Sequence, residues 1–222
     1  MQESSPPSPQ GYPDAPWTLE GGIVLGQVKA REPLAPMSGI RHLLDRRLLL
    51  FLGRYRRGTL DYSELVLASY ARRGRLPGLE IRHIWVDNEP ALLGGVHIWG
   101  LAKQLATFDW GHHHVRVHDD EGPIATLTWS PGKTSLPRLP MPLWFFGQHD
   151  GRLLHTTAKA QCRIGSAQLT VDAWSDRLPA LTSTRARLGA LCAPSRAIVP
   201  PPRTLARLPA APAGKNPHRQ GV

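Results

Sequence analysis

The residue with the most distinctive chemical setting is Lys103. It follows Gly95-Val96-His97-Ile98-Trp99-Gly100-Leu101-Ala102, a run of mostly small and apolar residues, in a chain that carries its positive charge chiefly as arginine: five of the 27 basic residues are lysine. Burial disfavours an ammonium ion, so a lysine in dry surroundings gives up its proton more easily. The neutral amine attacks a carbonyl carbon and forms a Schiff base, which then serves as an electron sink. The same wording also fits a lysine whose stem packs on apolar surface while its ammonium reaches water.

Other side chains extend this list of candidates. His97 exchanges protons near neutral pH if it approaches the lysine, and is otherwise a structural histidine with a backbone partner. Gln104 can position a carbonyl or a water but cannot act as a base. Tyr62 and Tyr70 either line a pocket or pack in the core with a bonded hydroxyl. Arg82 offers a guanidinium that pairs with a carboxylate, although strand arginines usually face solvent. His112-His113-His114 has the look of a metal site. Consecutive strand residues alternate faces, however, so at most two would converge without a turn, and a polar loop explains them equally well. No metal ligand set is assigned. Gly94-Gly95 lacks the strand–loop–helix wording of a dinucleotide site.

The stretch Asp87-Asn88-Glu89-Pro90-Ala91 followed by Gly95-Val96-His97-Ile98-Trp99-Gly100-Leu101-Ala102-Lys103-Gln104 resembles the core motif of the acetoacetate decarboxylase-like family. Pro16-Trp17-Thr18-Leu19, Tyr62-Ser63-Glu64-Leu65-Val66 and Ile198-Val199-Pro200-Pro201-Pro202-Arg203 look like further landmarks in the family's order, so the resemblance covers about residues 16 to 203. It implies a mainly β fold with short helices, an antiparallel-rich β-barrel. It implies Lys103 as the Schiff-base nucleophile and Glu64 as its catalytic partner, with His97, Gln104, Tyr62 and Arg82 as candidate substrate-binding residues. The implied reaction is decarboxylation of a small β-keto acid, or a related lyase step on an oxo compound. The lysine is its own electron sink, so no organic cofactor or metal is implied, and a homo-oligomer is. The chain departs from the motif at four positions. Val96 replaces its arginine, His97 its glutamate and Ala102 its proline, and Gln104 stands where a second lysine or a glutamate is usual. Gln104 cannot supply a neighbouring cation, so burial or a charge distant in sequence must activate Lys103. An aldolase- or dehydratase-type activity, or a non-catalytic barrel that binds a small molecule, remains open.

The elements that would hold these residues are mostly strands. Arg47–Tyr55 reads as a buried strand whose Gly53 marks a bulge. Ile23–Val28, Tyr62–Tyr70 and Leu79–Val86 also read as strands. Asp119-Asp120-Glu121-Gly122 and Asp150-Gly151 read as hairpin turns between flanking β runs. Ala167–Trp174 reads as the partner of a strand around Ala160. Glu89–Trp99 is the best helix candidate, with Asn88 as cap and Pro90 in the first turn, although Gly94-Gly95 weakens it.

The 222-residue chain is long enough for one substantial core, expected over residues 16–203. The Pro- and Ser-rich segment 1–15 and the basic, Pro-rich tail 204–222 are expected to be unstructured. A net charge of +10 invites a nucleic-acid reading, but the arginines are scattered and no recognised binding motif orders them. A solvated basic surface is the better expectation, with no specific nucleic-acid partner. The longest pure aliphatic and aromatic run, Leu48-Leu49-Leu50-Phe51-Leu52, is too short to span a bilayer. The first 20 residues lack a basic start and an apolar segment, so a cytoplasmic location without a signal peptide is expected. Cys162 and Cys192 do not form a metal knuckle and are expected to be reduced.

Overall fold

The computed structural model describes residues 11–208. In chain order the strands are β1 (Trp17–Lys29), β2 (Arg41–His42), β3 (Arg47–Gly58), β4 (Tyr62–Arg73) and β5 (Leu76–Val86). The helix α1 (Glu89–Trp99) follows, and then β6 (Lys103–Leu105), β7 (Thr107–Gly111), β8 (His114–Asp119), β9 (Gly122–His149), β10 (Arg152–Trp174), β11 (Arg187–Val199) and β12 (Arg203–Arg207). Hydrogen bonding runs β10-β11-β1-β3-β4-β5-β9, and β9 pairs back to β10, so seven strands close a ring. The neighbours in that ring are antiparallel except for a short parallel seam, Leu79↔Phe145 and Glu80↔Phe146, where β5 meets β9. The fold is mainly β, as the sequence predicts.

Period-2 alternation divides the core between the two faces of the β1-β3-β4-β5 sheet. Leu48, Leu50, Leu52, Leu65 and Leu67 pack on one face against Val115, Leu127 and Leu169. On the other face Tyr55, Tyr62, Val66, Ile84 and Val86 form a cluster with Ala91 and Trp99 of α1. The long β9–β10 ribbon reaches both clusters, covering one face with its outer half and the other with its inner half.

The helix has the predicted bounds. Asn88 accepts a 2.9 Å hydrogen bond from the Ala91 N–H, Glu89 puts an acid in the first turn, and Pro90 needs no donor there. Its two interior glycines have a packing reason. A Cβ on Gly94 would collide with the Trp17 ring, and one on Gly95 with the Lys103 stem. Gly100 ends the helix at φ 65° and ψ 35°, a left-handed geometry that glycine adopts at low cost.

Four expectations change. Gly53 keeps regular register with both Ile23 and Glu64, and the bulge falls one turn of pleat away, between Glu20 and Gly21. Ala167–Trp174 does not pair with Ala160, because both belong to the single strand β10. Ala160 pairs with Ala197 and Met141, and Leu169 with Trp129. The tail does not become irregular at 204: Arg203–Arg207 adds to β10 as an edge strand, with Leu205 packed beside Phe146 and Leu153. Within the expected N-terminal segment, Tyr12 is buried against the rest of the fold and Pro13 accepts a hydrogen bond from Trp17 Nε1 at 2.9 Å. Residues 1–10 and 209–222 lie outside the described residues. Among the described residues no helix is long and apolar enough to cross a membrane. Cys162 and Cys192 are buried free thiols.

Candidate active site

Sheet register brings the lysine to the carboxylate. Lys103 pairs with Ile84, Ile84 with Val66, and Glu64 lies two residues before Val66, so both side chains leave the same face one pleat apart. Lys103 Nζ stands 3.7 Å from Glu64 Oε2, and the two side chains are 4% and 10% exposed. The Tyr62 ring lies under the amine, 5.2 Å from Nζ to its centroid. Tyr55, directly across from Tyr62, donates its hydroxyl to Glu64 Oε1 at 2.8 Å. The lysine stem rests on the α1 backbone at Gly95. A reversed turn brings the chain back: Leu101 N–H bonds to Gly95 O at 3.0 Å and Lys103 N–H to Leu101 O at 2.8 Å.

Two influences oppose each other at the amine. Burial lowers the Lys103 pKa below the ordinary 10.5, and the charge and hydrogen bond of Glu64 partly restore it; the net direction is down. Burial, followed by the charge of Glu64, raises the Tyr55 and Tyr62 hydroxyls well above their usual range, so both stay protonated donors. The site therefore combines a desolvated amine, one carboxylate and a phenol that fixes the carboxylate's orientation. Such a set can add a carbonyl to nitrogen and hold the resulting cation beside a negative charge.

Of the residues singled out in sequence, the structure brings together Lys103, Glu64 and Tyr62. His97 is on the exposed side of α1, stacked on Tyr12 at 5.7 Å and edge-on to His149 at 5.8 Å. Gln104 is next to Lys103 on a strand and so points to the opposite face, where it lines a 190 Å³ cavity with Trp85 and Arg177. Arg82 is the extra residue of a β5 bulge. It lies two residues before Ile84, the lysine's strand partner, but its guanidinium is held by the Glu80 carboxylate and the Ala35 carbonyl. Tyr70 shares the face of Glu64 but lies six residues, about 20 Å, further along β4. His112 and His113 form the β7–β8 turn, with His113 at φ 62°, and His114 opens β8 opposite Gly111. Among the described residues no group of three or more metal-ligating side chains is assembled.

Tyr55 escaped the sequence reading. Its signal was present in the β3–β4 hairpin: pairing across the turn at 58–61 sets Tyr55 opposite Tyr62 and hence beside Glu64. Two polar residues of the motif, Asp87 and Asn88, have architectural roles. Asp87 accepts the Ser63 N–H at 2.6 Å, tying the end of β5 to β4, and Asn88 caps the helix.

The family model described as acetoacetate decarboxylase matches residues 34–143, a span that holds both Glu64 and Lys103. Among solved structures the chain is similar to acetoacetate decarboxylase from Legionella pneumophila, with a TM-score of 0.68 and 16% identity over 91% of this chain and 93% of that one. It is similar to the enduracididine biosynthesis enzyme MppR complexed with pyruvate, at a TM-score of 0.62 and 16% identity over 93% and 98% of the two chains. An acetoacetate decarboxylase-like enzyme from Sphingomonas wittichii gives 0.62 and 14% over 88% and 95%. At these identities the likeness speaks for the fold. No curated protein matches the chain.

Proposed function

Because this chain is similar to the acetoacetate decarboxylase-like family, whose model matches residues 34–143, we propose that it is a lyase that binds a small β-keto acid or related oxo compound as a Schiff base on Lys103. The supporting observation is the buried amine 3.7 Å from Glu64, with its pKa lowered by burial. The neutral amine adds to the substrate carbonyl, and with uptake of one proton from solvent water leaves, giving a protonated imine. When the bond to the carboxylate carbon breaks, its electron pair flows to the imine nitrogen and CO₂ departs. Protonation of the resulting enamine at carbon and hydrolysis then return the amine. Glu64 balances the imine cation as it balances the ammonium. Tyr55 and Tyr62 keep the site polar at one edge and closed to bulk water.

A second reading rests on the Tyr55–Glu64 hydrogen bond. A phenol-bonded carboxylate beside an enamine is equipped to move protons for aldol or dehydration chemistry. One solved relative of the same fold, MppR, is described in complex with the condensation product of pyruvate and imidazole 4-carboxaldehyde. A single domain, a cytoplasmic location and a homo-oligomer belong to the same proposal. The exposed Leu136 and Leu139 on the β9 ribbon offer such an oligomer an apolar surface.

Intact-protein mass spectrometry after incubation with acetoacetate or pyruvate and borohydride tests the reading. A reduced adduct that disappears in Lys103→Ala, with folding retained, is the expected result. Loss of CO₂ from acetoacetate distinguishes decarboxylation from the aldol reading. No adduct with either ketone between neutral and mildly alkaline pH counts against this reading, in favour of a non-catalytic binding barrel or an unrelated substrate class.

A further inference from the structure

The end of β1 carries a second concentration of charge, remote from the lysine site. Arg187 of β11 is paired with Gln27 and Arg47 of β3 with Lys29, so their side chains share one face. Together with Arg185 they border a cavity of about 410 Å³ whose lining holds four basic side chains and no carboxylate. Among the described residues none of these four makes an ion pair, whereas Arg46, Arg56, Arg177 and Arg196 each have an acidic partner. Four cations around one space repel each other, and a bound anion relieves that repulsion.

The wall is fixed in advance. Thr182 N–H bonds to Lys29 O at 2.8 Å and Val171 N–H to Thr184 O at 2.7 Å, so the segment 182–185 is tied to β1 and β10. Ser183 Oγ accepts the Arg185 N–H at 3.1 Å. Arg47 Nη1 donates to Gln27 Oε1 at 3.1 Å, which orients the guanidinium and leaves the Gln27 amide hydrogens as donors. The backbone of the wall and the Arg47 guanidinium are thus held before a ligand arrives, while the side chains of Lys29, Arg185 and Arg187 are exposed and close on it.

The geometry points to a binding site for a small diphosphate, either free or as part of a nucleotide. Guanidinium groups match phosphate oxygens through paired N–H donors, and three of the four cations are arginine. The volume falls at the lower end of the range for small-molecule sites, roughly 300–1,000 Å³, and exceeds what one phosphate group fills. The charge of a diphosphate approaches that of the four cations. This site is separate from Lys103. The lysine's row crosses β3 at Phe51, three strands away, and Arg47 is four residues further along β3. Those offsets amount to about 14 Å across and about 13 Å along the sheet. The inference does not depend on Schiff-base chemistry.

Isothermal titration of the full chain at low salt with pyrophosphate, ADP and inorganic phosphate tests it. One equivalent of pyrophosphate or ADP is expected to bind, more tightly than phosphate. Affinity is expected to fall at least about tenfold in the Arg185→Gln/Arg187→Gln double variant. It is expected to hold in Arg72→Gln/Arg73→Gln, which removes two arginines elsewhere, and in Lys103→Ala. Tighter binding of ADP than of pyrophosphate identifies a nucleotide as the source, and equal binding a free diphosphate. The exposed positions leave the thermal transition unchanged, and Arg185→Lys/Arg187→Lys recovers part of the affinity. Equal losses in the two glutamine doubles, several equivalents bound, or no binding of either diphosphate overturns the proposal. Single-stranded DNA binding that falls with Arg185→Gln/Arg187→Gln, while pyrophosphate does not bind, overturns it in favour of a nucleic-acid surface.

Discussion

At Lys103 the proton is held by a balance between burial, which expels it, and Glu64, which retains it. Glu64→Gln removes the retaining charge and keeps the shape. The amine should therefore lose its proton at lower pH. The midpoint of borohydride trapping against pH is expected to move down. The limiting rate should fall, because the imine cation loses its counter-charge. An unmoved midpoint would mean that Glu64 does not act on the amine. Stability carries the same sign. The folded lysine has a pKa below the unfolded value of 10.5, so the unfolded chain binds more protons between those two limits. Unfolding free energy then rises with pH through that window, and the contribution is lost as pH falls through the folded pKa. Urea titrations of the native chain and Lys103→Met should diverge in that direction as pH approaches 10.5. A constant difference would show the lysine to be solvated. The lysine was legible because its neighbours in sequence are apolar. Its partner Tyr55 was not, since only the hairpin register sets that hydroxyl beside Glu64.

Helix α1 acts as a platform for the lysine stem, and Gly95 is the point of contact. Gly95→Ala would normally favour a helix by roughly 1 kcal/mol. Here the added methyl occupies the space of the Lys103 side chain, so the stem must leave its position. Adduct formation is expected to fall at least about tenfold while the helical signal in circular dichroism is kept. Unchanged trapping would show that the stem has another route to Glu64. The cap is separable: Asn88→Ala should cost about 1 kcal/mol in stability and leave trapping chemistry in the folded protein largely intact. The helix bounds and the hairpin turns were readable because capping and turn residues are local signals. The continuity of β9 was not. Between Trp129 and Met141 it carries Pro131, Pro137 and Pro140, every residue from 130 to 140 is exposed, and only β10 pairs with it there. Proline is tolerated on such an edge, and without burial no hydrophobic period survives to be read. The two faces of β6 explain Gln104 in the same way. Sequence adjacency to the lysine argued for a shared site, while strand alternation sends the amide to the other side.

The ring closes where β5 meets β9 through two residue pairs, one of which is Glu80↔Phe146. Glu80 is 1% exposed, and its carboxylate accepts from Met37 N at 3.0 Å and from Arg82, with His42 Nε2 at 2.6 Å. One buried carboxylate thus ties the segment before β3, the β5 bulge and the closing seam together, with Phe146 and Leu153 packed in the apolar cluster alongside. Arg82 consequently belongs to the fold's closure and not to recognition of a substrate carboxylate. Removing one partner from a buried, charge-assisted set leaves the others unpaired, at a cost of about 3–5 kcal/mol. Glu80→Ala is therefore expected to lower unfolding free energy by that order, and Glu80→Gln by less because the amide keeps one acceptor. Arg82→Ala should also lower the urea midpoint, yet the protein that remains folded should trap a ketone on Lys103 at the native rate. A variant that keeps its stability but loses trapping would instead return Arg82 to the site. The opposite pattern, stability lost and chemistry kept, follows from a guanidinium spent on Glu80 and Ala35 O, with none of its reach directed toward the amine.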